Sequence, residues 1–152
     1  DEINYMIDNE TRPWCIEGEF IQYTEKGMSL IGSTKWDGQL LITNHRIVFE
    51  ENEHTPLFDI PVGLVLKIDK VGNQSGIGRK GEIYGISITT KDNNFVRLTC
   101  SDEPNRRKNL VESLNQSCFP IDKSKKVFAF SHCENGGLDR YNMNGWKVYD
   151  VE

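Results

Sequence analysis

Short apolar runs separated by turn residues fill most of the first hundred positions of the sequence, and this spacing constrains the fold more than any other feature. The stretch DGQLLITNHRIVFEE holds two such runs on either side of Thr43–Asn44, which predicts a hairpin. A second hairpin is predicted where EIYGISITT and FVRLTC flank residues 91–94, and Lys26–Gly27 is interpreted as a turn between EGEFIQY and MSLIG. About seven strands at this spacing are typical of a small barrel or sandwich.

The pattern changes at Ser101, where apolar residues begin to recur at helical spacing. The residues that set this spacing are Leu110, Val111, Leu114 and Cys118. They predict an amphipathic helix of about three to four turns, with Asp102 or Glu103 as its cap and Pro104 in its first turn. Strands followed by one C-terminal α-helix outline a mainly β, pleckstrin-homology-like (PH-like) fold. In this fold a seven-stranded barrel or sandwich is closed at one end by the helix, which buries its apolar stripe there.

The formal net charge of −5 argues against a nucleic acid partner, because proteins that neutralise phosphates are usually basic. The charge is uneven, however, and residues 63–91 carry more bases than acids. The bases are Lys67, Lys70, Arg79, Lys80 and Lys91, and the acids are Asp69 and Glu82. A local basic field of this kind can recruit an anionic ligand.

The four cysteines have no C-x-x-C spacing, so neither a zinc site nor another metal or cofactor site is predicted. A reducing cytosol is a simpler interpretation than disulfides, because a chain of this length has an adequate core without them. The sequence lacks an initiator Met and ends at GWKVYDVE, and we expect it to be a segment of a longer protein.

Cys100 and Arg106 are separated by five residues, the spacing found in the phosphate-binding loop of cysteine-dependent phosphatases. Such a loop directs backbone N–H groups at a phosphate and activates a thiolate. Here Pro104 has no N–H to donate, Glu103 adds a charge that repels phosphate, and the loop holds no glycine. A strand end followed by a capped helix accounts for every residue. Cys100 is therefore interpreted as the end of the last strand, and Arg106 is expected to face solvent.

The stretch GIGRKG matches the spacing of a dinucleotide-binding loop, with glycines at positions 76, 78 and 81. That loop must open a helix, whereas a β pattern follows here, so a hairpin loop is predicted instead. Its Arg79 and Lys80 lie beside the apolar Ile77, and this combination suits a phosphorylated head group at a bilayer. A solvated loop without a ligand is the alternative.

Several motifs together resemble one family. DGQLLITNHRIVFE is similar to the G-x-L-x-x-T-N-x-R signature of the GRAM domain, and KIDKVGNQSGIGRKGEIYGISITTKDNNFVRL resembles the basic turn, Ser/Gly-rich loop and KD hairpin of myotubularins. CFPIDKSKKVFAFSH and GWKVYD resemble the segment that leads from the PH-GRAM domain of that family into its phosphatase domain. The resemblance covers about residues 14 to 150, and the order of the motifs makes it specific.

The resemblance implies a PH-GRAM domain at residues 14–120, an N-terminal extension at 1–13, and a linker into a phosphatase domain at 121–152. In that family, the separate catalytic domain removes the 3-phosphate from phosphatidylinositol 3-phosphate and the 3,5-bisphosphate. Its catalytic loop reads Cys-Ser-Asp-Gly-Trp-Asp-Arg, and CSDEPNR at positions 100–106 matches four of the seven letters but lies in the wrong domain. No catalytic residue is assigned, and the parent protein is either an active lipid phosphatase or an inactive relative.

The leading hypothesis is phosphoinositide-directed membrane targeting by basic side chains near one rim of the barrel. The predicted lipid-binding residues are Lys35, Arg46, Ile77, Arg79, Lys80 and Lys91. The alternative is a protein-interaction or intramolecular docking module of an inactive scaffold, which the acidic net charge favours. The implied partners are phosphoinositide membranes, the parent's phosphatase domain, and homo- or hetero-oligomers with myotubularin relatives. The expected location is cytoplasmic, peripheral on endosomal or other phosphoinositide-containing membranes.

Overall fold

A computed structural model describes residues 12–51, 54–73, 83–101, 103 and 105–121. These residues form a mainly β fold with one α-helix, as the spacing of the apolar runs predicts. The strands are β1 (Ile21–Ile31), β2 (Lys35–Thr43), β3 (Arg46–Glu51), β4 (Pro56–Pro61), β5 (Val65–Val71), β6 (Gly85–Thr90) and β7 (Phe95–Thr99). A short 3-10 turn (Val62–Leu64) joins β4 to β5, and the helix α1 spans Arg106–Cys118.

The strands make one antiparallel sheet in the order β4-β3-β2-β1-β7-β6-β5. Strand β1 connects one half of the sheet, β2–β4, to the other half, β5–β7. Its whole length pairs with β2, while Ser29–Ile31 also pair with Arg97–Thr99 of β7. The predicted hairpin at Thr43–Asn44 is confirmed, since Ile42 pairs with Ile47 across that turn. Over the described residues, the predicted mainly β fold of seven strands and one C-terminal helix is therefore confirmed.

The predicted turn at Lys26–Gly27 is wrong, because β1 continues through it as a single strand. The register with β2 shifts between Lys26 and Met28, and Gly27 has a φ of 68°. A glycine at positive φ is what a β-bulge requires, and the bulge bends the strand without reversing it. This bend lets β1 serve both halves of the sheet.

One apolar cluster fills the space between the sheet and α1. Its buried members are Met28, Leu40, Ile42, Ile47, Phe49, Ile60, Val62, Val65, Ile86, Ile88, Leu98, Leu110, Leu114 and Cys118. The helix contributes the last three at the predicted spacing, and it packs against β2, β5, β6 and the 3-10 turn. Among the described residues, no helix is long and apolar enough to cross a membrane.

The start of α1 differs from the sequence prediction. The helix begins at Arg106, and the residue before it is Asn105, whose φ of 68° lies in the left-handed region that Asn tolerates. Of the two predicted caps, Glu103 is therefore not the cap, while Asp102 and the predicted first-turn Pro104 lie outside the described residues. The Glu103 carboxylate instead lies 3.4 Å from the Arg106 guanidinium.

Candidate functional site

The predicted lipid-binding residues fall in three separate places. Lys35 is the first residue of β2, and Arg46 is the first residue of β3. Lys91 follows β6 directly, and its backbone N–H donates to the Leu64 carbonyl at 2.9 Å. The other three residues, Ile77, Arg79 and Lys80, lie at 74–82, outside the described residues.

The strand registers separate these positions. Lys35 and Thr43 mark opposite ends of β2, so Lys35 and the Arg46 turn are about 26 Å apart along the strand at about 3.3 Å per residue. Val71 pairs with Gly85 at the end of the β5–β6 hairpin nearer to positions 74–82, whereas Val65 and Thr90 pair at the end that carries Lys91. That hairpin is about 20 Å long, so Lys91 lies at the end of it that is far from Val71 and Gly85.

Arg46 is occupied by partners within the chain. Its Nε and Nη2 lie 2.8 and 3.0 Å from the two carboxylate oxygens of Glu19, and its Nη1 lies 2.9 Å from Asp59 Oδ2. Nη2 also donates to the Trp14 carbonyl at 2.6 Å, and the guanidinium lies 5.2 Å from the centroid of the Trp14 ring. These hydrogen bonds hold the pKa of Arg46 above its usual value. The structure thus shows a structural role for Arg46, while its lipid-binding role stays a prediction.

The segment from Arg12 to Phe20, here named the N-terminal strap, supplies most of these partners. The Glu19 side chain is fully buried and accepts from Thr43 Oγ1 at 2.8 Å and from the Ile16 backbone N–H at 3.0 Å. Burial alone would raise the pKa of Glu19, but the hydrogen bonds from Arg46, Ile16 and Thr43 lower it overall. Glu19 is therefore a buried carboxylate that stays charged at neutral pH.

A second buried carboxylate, Glu50 of β3, binds the other end of the strap. Its oxygens accept from Arg12 Nε at 3.0 Å, Trp14 Nε1 at 2.9 Å and Gln39 Nε2 at 2.6 Å, and His54 Nδ1 lies 3.1 Å away. Burial raises the pKa of Glu50, yet the hydrogen bonds and the Arg12 charge outweigh it and lower the pKa. Two ion pairs therefore join the strap to β3. Glu19 of the strap binds Arg46 of β3, and Arg12 of the strap binds Glu50 of β3.

The T-N-x-R motif fastens the strap to the sheet. Thr43 and Arg46 bind Glu19, while Asn44 Nδ2 donates to the Gly18 carbonyl at 3.0 Å and Asn44 Oδ1 accepts from the Phe20 backbone N–H at 3.0 Å. Sequence reasoning missed this network, since its partners are more than twenty residues apart. The signal available was the motif itself, which places three hydrogen-bonding side chains at a strand turn.

The surroundings of Cys100 oppose a role as a nucleophile. Burial, together with the charge of Glu25, raises the pKa of its thiol to about 11, whereas a catalytic thiolate needs a lowered value. Arg106 does not point freely to solvent as predicted, because it donates to Glu25 Oε1 at 2.5 Å and to the Lys26 carbonyl at 2.8 Å. The arginine of the apparent phosphatase motif therefore ties α1 to the bulge of β1.

Lys35 and Lys91 are the predicted lipid-binding residues that remain exposed in the described part of the chain. The Lys35 side chain is 63% exposed and lies 3.7 Å from Asp37. Lys91 is exposed at the turn between β6 and β7. Within the same described part, no group of three or more His, Cys, Asp or Glu side chains could hold a metal ion.

Sequence comparison finds phosphoinositide phosphatases. The chain is 32% identical to a phosphatidylinositol-3,5-bisphosphate 3-phosphatase of Caenorhabditis elegans, covering 97% of this chain and 26% of that protein. It is 34% identical to the myotubularin of Xenopus tropicalis, covering 99% and 24%, and 31% identical to a phosphatidylinositol-3,5-bisphosphate 3-phosphatase of Gallus gallus, covering 91% and 24%. The chain thus spans about a quarter of the length of these relatives. No family model matches it.

Structure comparison finds PH domains at low sequence identity. The N-terminal PH domain of Vps36 superposes with a TM-score of 0.52 at 15% identity, covering 68% of this chain and 82% of that one. The DH/PH domains of p115-RhoGEF give a TM-score of 0.53 at 7% identity, covering 75% and 35%. The C-terminal domain of an unknown protein from Leishmania infantum gives 0.53 at 20% identity, covering 66% and 85%. These likenesses show the fold alone.

Proposed function

Because this chain belongs to the myotubularin family and has a PH-like fold, we propose that it is a non-catalytic domain that binds phosphoinositides and directs its protein to membranes. The observation that carries the proposal is the alignment of nearly the whole chain with proteins named as phosphoinositide 3-phosphatases. A domain that holds such a protein on its substrate membrane increases the effective substrate concentration. The surroundings of Cys100 support a non-catalytic role for this segment.

The proposed head-group contacts are Lys35 and Lys91 beside strands of the sheet, together with Ile77, Arg79 and Lys80 of the segment between β5 and β6. Lys35 and Lys91 are exposed at strand ends, and Ile77, Arg79 and Lys80 complete the proposed set. Charge-assisted hydrogen bonds from such side chains to phosphate oxygens are stronger than neutral ones. Arg46 is left out of this set because its guanidinium already binds Glu19, Asp59 and the Trp14 carbonyl.

Liposome co-sedimentation tests the proposal. Vesicles that contain phosphatidylinositol 3-phosphate or the 3,5-bisphosphate are expected to bind the chain more strongly than vesicles of phosphatidylcholine, and added salt is expected to weaken the binding. The double variant Arg79→Glu/Lys80→Glu is expected to bind less. Lys108→Glu is the matched control, because Lys108 is an exposed cation of α1 that does not belong to the proposed set. Equal sedimentation with all vesicles at both salt concentrations would contradict head-group binding.

A second candidate function is docking onto another part of the parent protein or onto an oligomeric partner. Exposed apolar residues at the end of the strap and the end of α1 favour it: Phe20 is 58% exposed, and Phe119 and Ile121 are exposed after the helix. Ser117 Oγ lies 3.4 Å from Gln22 Oε1, which places these two ends near each other. Calorimetric titration of this chain into the parent's phosphatase domain, with Phe20→Ser as the variant, separates docking from lipid binding. If neither the unchanged chain nor the Phe20→Ser variant releases or absorbs heat on titration, docking onto the phosphatase domain is rejected.

The proposed location is cytoplasmic, peripheral on endosomal or other phosphoinositide-containing membranes. We propose further that the parent protein acts on phosphatidylinositol 3-phosphate and the 3,5-bisphosphate, or is an inactive homologue of enzymes that do. Release of phosphate from both lipids by the full-length parent, compared with release by this chain alone, decides between these two possibilities. A fluorescent fusion of the chain, imaged beside an endosomal marker, tests the location.

A further inference from the structure

Two large apolar side chains lie exposed on the outer face of the β5–β6–β7 part of the sheet. Phe95 is 61% exposed and Leu66 is 53% exposed. Thr89 of β6 pairs with Phe95 on one side and with Lys67 on the other, and Leu66 is the residue that the register shift between Val65 and Lys67 leaves unpaired. Leu66 of β5 and Phe95 of β7 therefore lie on the two strands that border β6, near Thr89.

Three cations lie in the same part of the sheet as these apolar side chains. The Arg97 guanidinium lies 5.2 Å from the centroid of the Phe95 ring, and Lys91 is exposed at the turn before Phe95. Lys67 is paired with Asp69 at 2.9 Å. Arg97 and Lys91, by contrast, have no carboxylate within ion-pair distance in the described part of the chain. We name the set of Leu66, Lys67, Lys91, Phe95 and Arg97 the β5–β7 face.

The chemistry of this face matches the surface of an anionic bilayer. Aromatic and branched apolar side chains enter the boundary between head groups and acyl chains, while Arg and Lys remain at the level of the lipid phosphates. The protein as a whole carries a charge of −5 and would be repelled by anionic lipid. A face where two cations lack a carboxylate partner among the described residues would therefore decide its orientation.

We propose that the β5–β7 face lies on anionic bilayers, with Phe95 and Leu66 entering the interface and Arg97 and Lys91 binding lipid phosphates. This inference rests on the proposed function, because it assumes that the chain binds membranes. It goes further by assigning the orientation and by predicting affinity for anionic lipid that carries no phosphoinositide. Cation–π contact with Phe95 holds the Arg97 head beside the apolar side chain in advance of binding.

Co-sedimentation with three vesicle types tests this orientation: phosphatidylcholine alone, phosphatidylcholine with phosphatidylserine, and phosphatidylcholine with phosphatidylinositol 3-phosphate. Partitioning onto both anionic types is expected to fall about tenfold for Phe95→Ser, about fivefold for Arg97→Gln and about thirtyfold for Arg97→Glu. Phe20→Ser and Lys108→Glu are the matched controls, since they remove an exposed aromatic residue and an exposed cation elsewhere. Both controls are expected to bind like the unchanged protein.

A depth measurement accompanies these variants. The variant Phe95→Trp is expected to gain quenching by phosphatidylcholine brominated on its acyl chains, relative to the unchanged protein, because the new indole enters the interface. Absence of added quenching, or equal binding by the Phe95 and Arg97 variants and the controls, would overturn the orientation.

The outcomes distinguish this inference from the proposed function. If phosphatidylinositol 3-phosphate vesicles bind the protein and all variants equally, the orientation is wrong and head-group binding stands. If phosphatidylserine vesicles bind as strongly as phosphoinositide vesicles and the Phe95 and Arg97 variants lose both, the face is supported and phosphoinositide recognition is rejected. If the unchanged protein binds none of the vesicles, both are rejected.

Discussion

Arg46 and Glu19 form a two-point ion pair, with nitrogen–oxygen distances of 2.8 and 3.0 Å, between residues 27 positions apart in the sequence. The Glu19 side chain is fully buried, while Arg46 keeps 22% exposure at its side chain. Removing one partner of such a pair leaves a charge without solvent or counter-ion. The pair therefore connects the stability of the barrel to the presence of the strap.

Replacement of Arg46 is expected to destabilise the domain strongly. Arg46→Met should lower the free energy of unfolding by about 3–5 kcal/mol, because it strands the Glu19 carboxylate in the interior. Urea denaturation measures this change, and Arg46→Met/Glu19→Gln should recover part of the loss. Lys108→Met is the control: its exposed pair with Glu112 predicts a change within about 0.5 kcal/mol. The single variant Glu19→Gln completes the comparison. A loss of unfolding free energy in the double variant equal to the sum of the losses in the two single variants would contradict the coupling.

Stability is expected to fall on acidification through Glu19 and Glu50. The folded state lowers the pKa of both carboxyls from the ordinary value of 4.5, so the folded state binds their protons less readily than the unfolded state. Their contribution is complete above the unfolded pKa and is lost as pH falls through the lower folded value. Urea denaturation from pH 6 to pH 3 should show a shallower pH dependence for Glu50→Gln than for the unchanged protein. Identical slopes would contradict a depressed pKa for Glu50.

Substitution of Gly85 is expected to disturb the pairing of β6 with β7. A Cβ at this position would overlap the backbone carbonyl of Leu98, which cannot move without breaking the ladder. Gly85→Ala should therefore destabilise the fold by more than about 2 kcal/mol in thermal or urea unfolding. Gly32→Ala is the control, because the nearest atom to a Cβ there is 3.7 Å away. Equal stability of the two variants would show that the β6–β7 pairing is looser than described.

The thiol of Cys100 is expected to react slowly. With a pKa of about 11, its thiolate fraction at pH 7.5 is about two orders of magnitude below that of an unperturbed cysteine. Alkylation by iodoacetamide, followed at the Cys100 peptide by mass spectrometry, should be slower than for free cysteine by about that factor. Phosphate release from phosphatidylinositol 3-phosphate by the chain is expected to be absent, and Cys100→Ser should change nothing. Rapid alkylation at neutral pH would revive the phosphatase-loop interpretation.

Local periodicity predicted the parts of the fold that depend on neighbours in the sequence. The apolar spacing of Leu110, Leu114 and Cys118 gave the buried face of α1, and the two runs around Thr43 gave the hairpin. Lys26–Gly27 was predicted wrongly because a glycine at positive φ serves turns and bulges alike. Only the partner strand decides between the two.

The candidate site was less predictable because its geometry depends on pairing over long distances. Exposure of Lys35 and Lys91 at strand ends follows from their polarity and their positions beside turns. The distance between Lys35 and Arg46 follows from the β2 register, and the occupation of Arg46 follows from Glu19, which no spacing rule connects to it. The β5–β7 face was also missed, since the exposure of Phe95 depends on the pairing of β7 with β6.

The contacts between the strap and the sheet determine how much of the polypeptide a stable domain requires. A fragment that began at Ile21 would keep all seven described strands and α1, yet it would place Glu50 and Arg46 in the sheet without Arg12, Trp14 and Glu19. Such a fragment should express poorly and aggregate, although its barrel is nominally whole. The smallest stable unit is therefore expected to include Arg12, and proteolysis within positions 12–20 is expected to destabilise the whole domain.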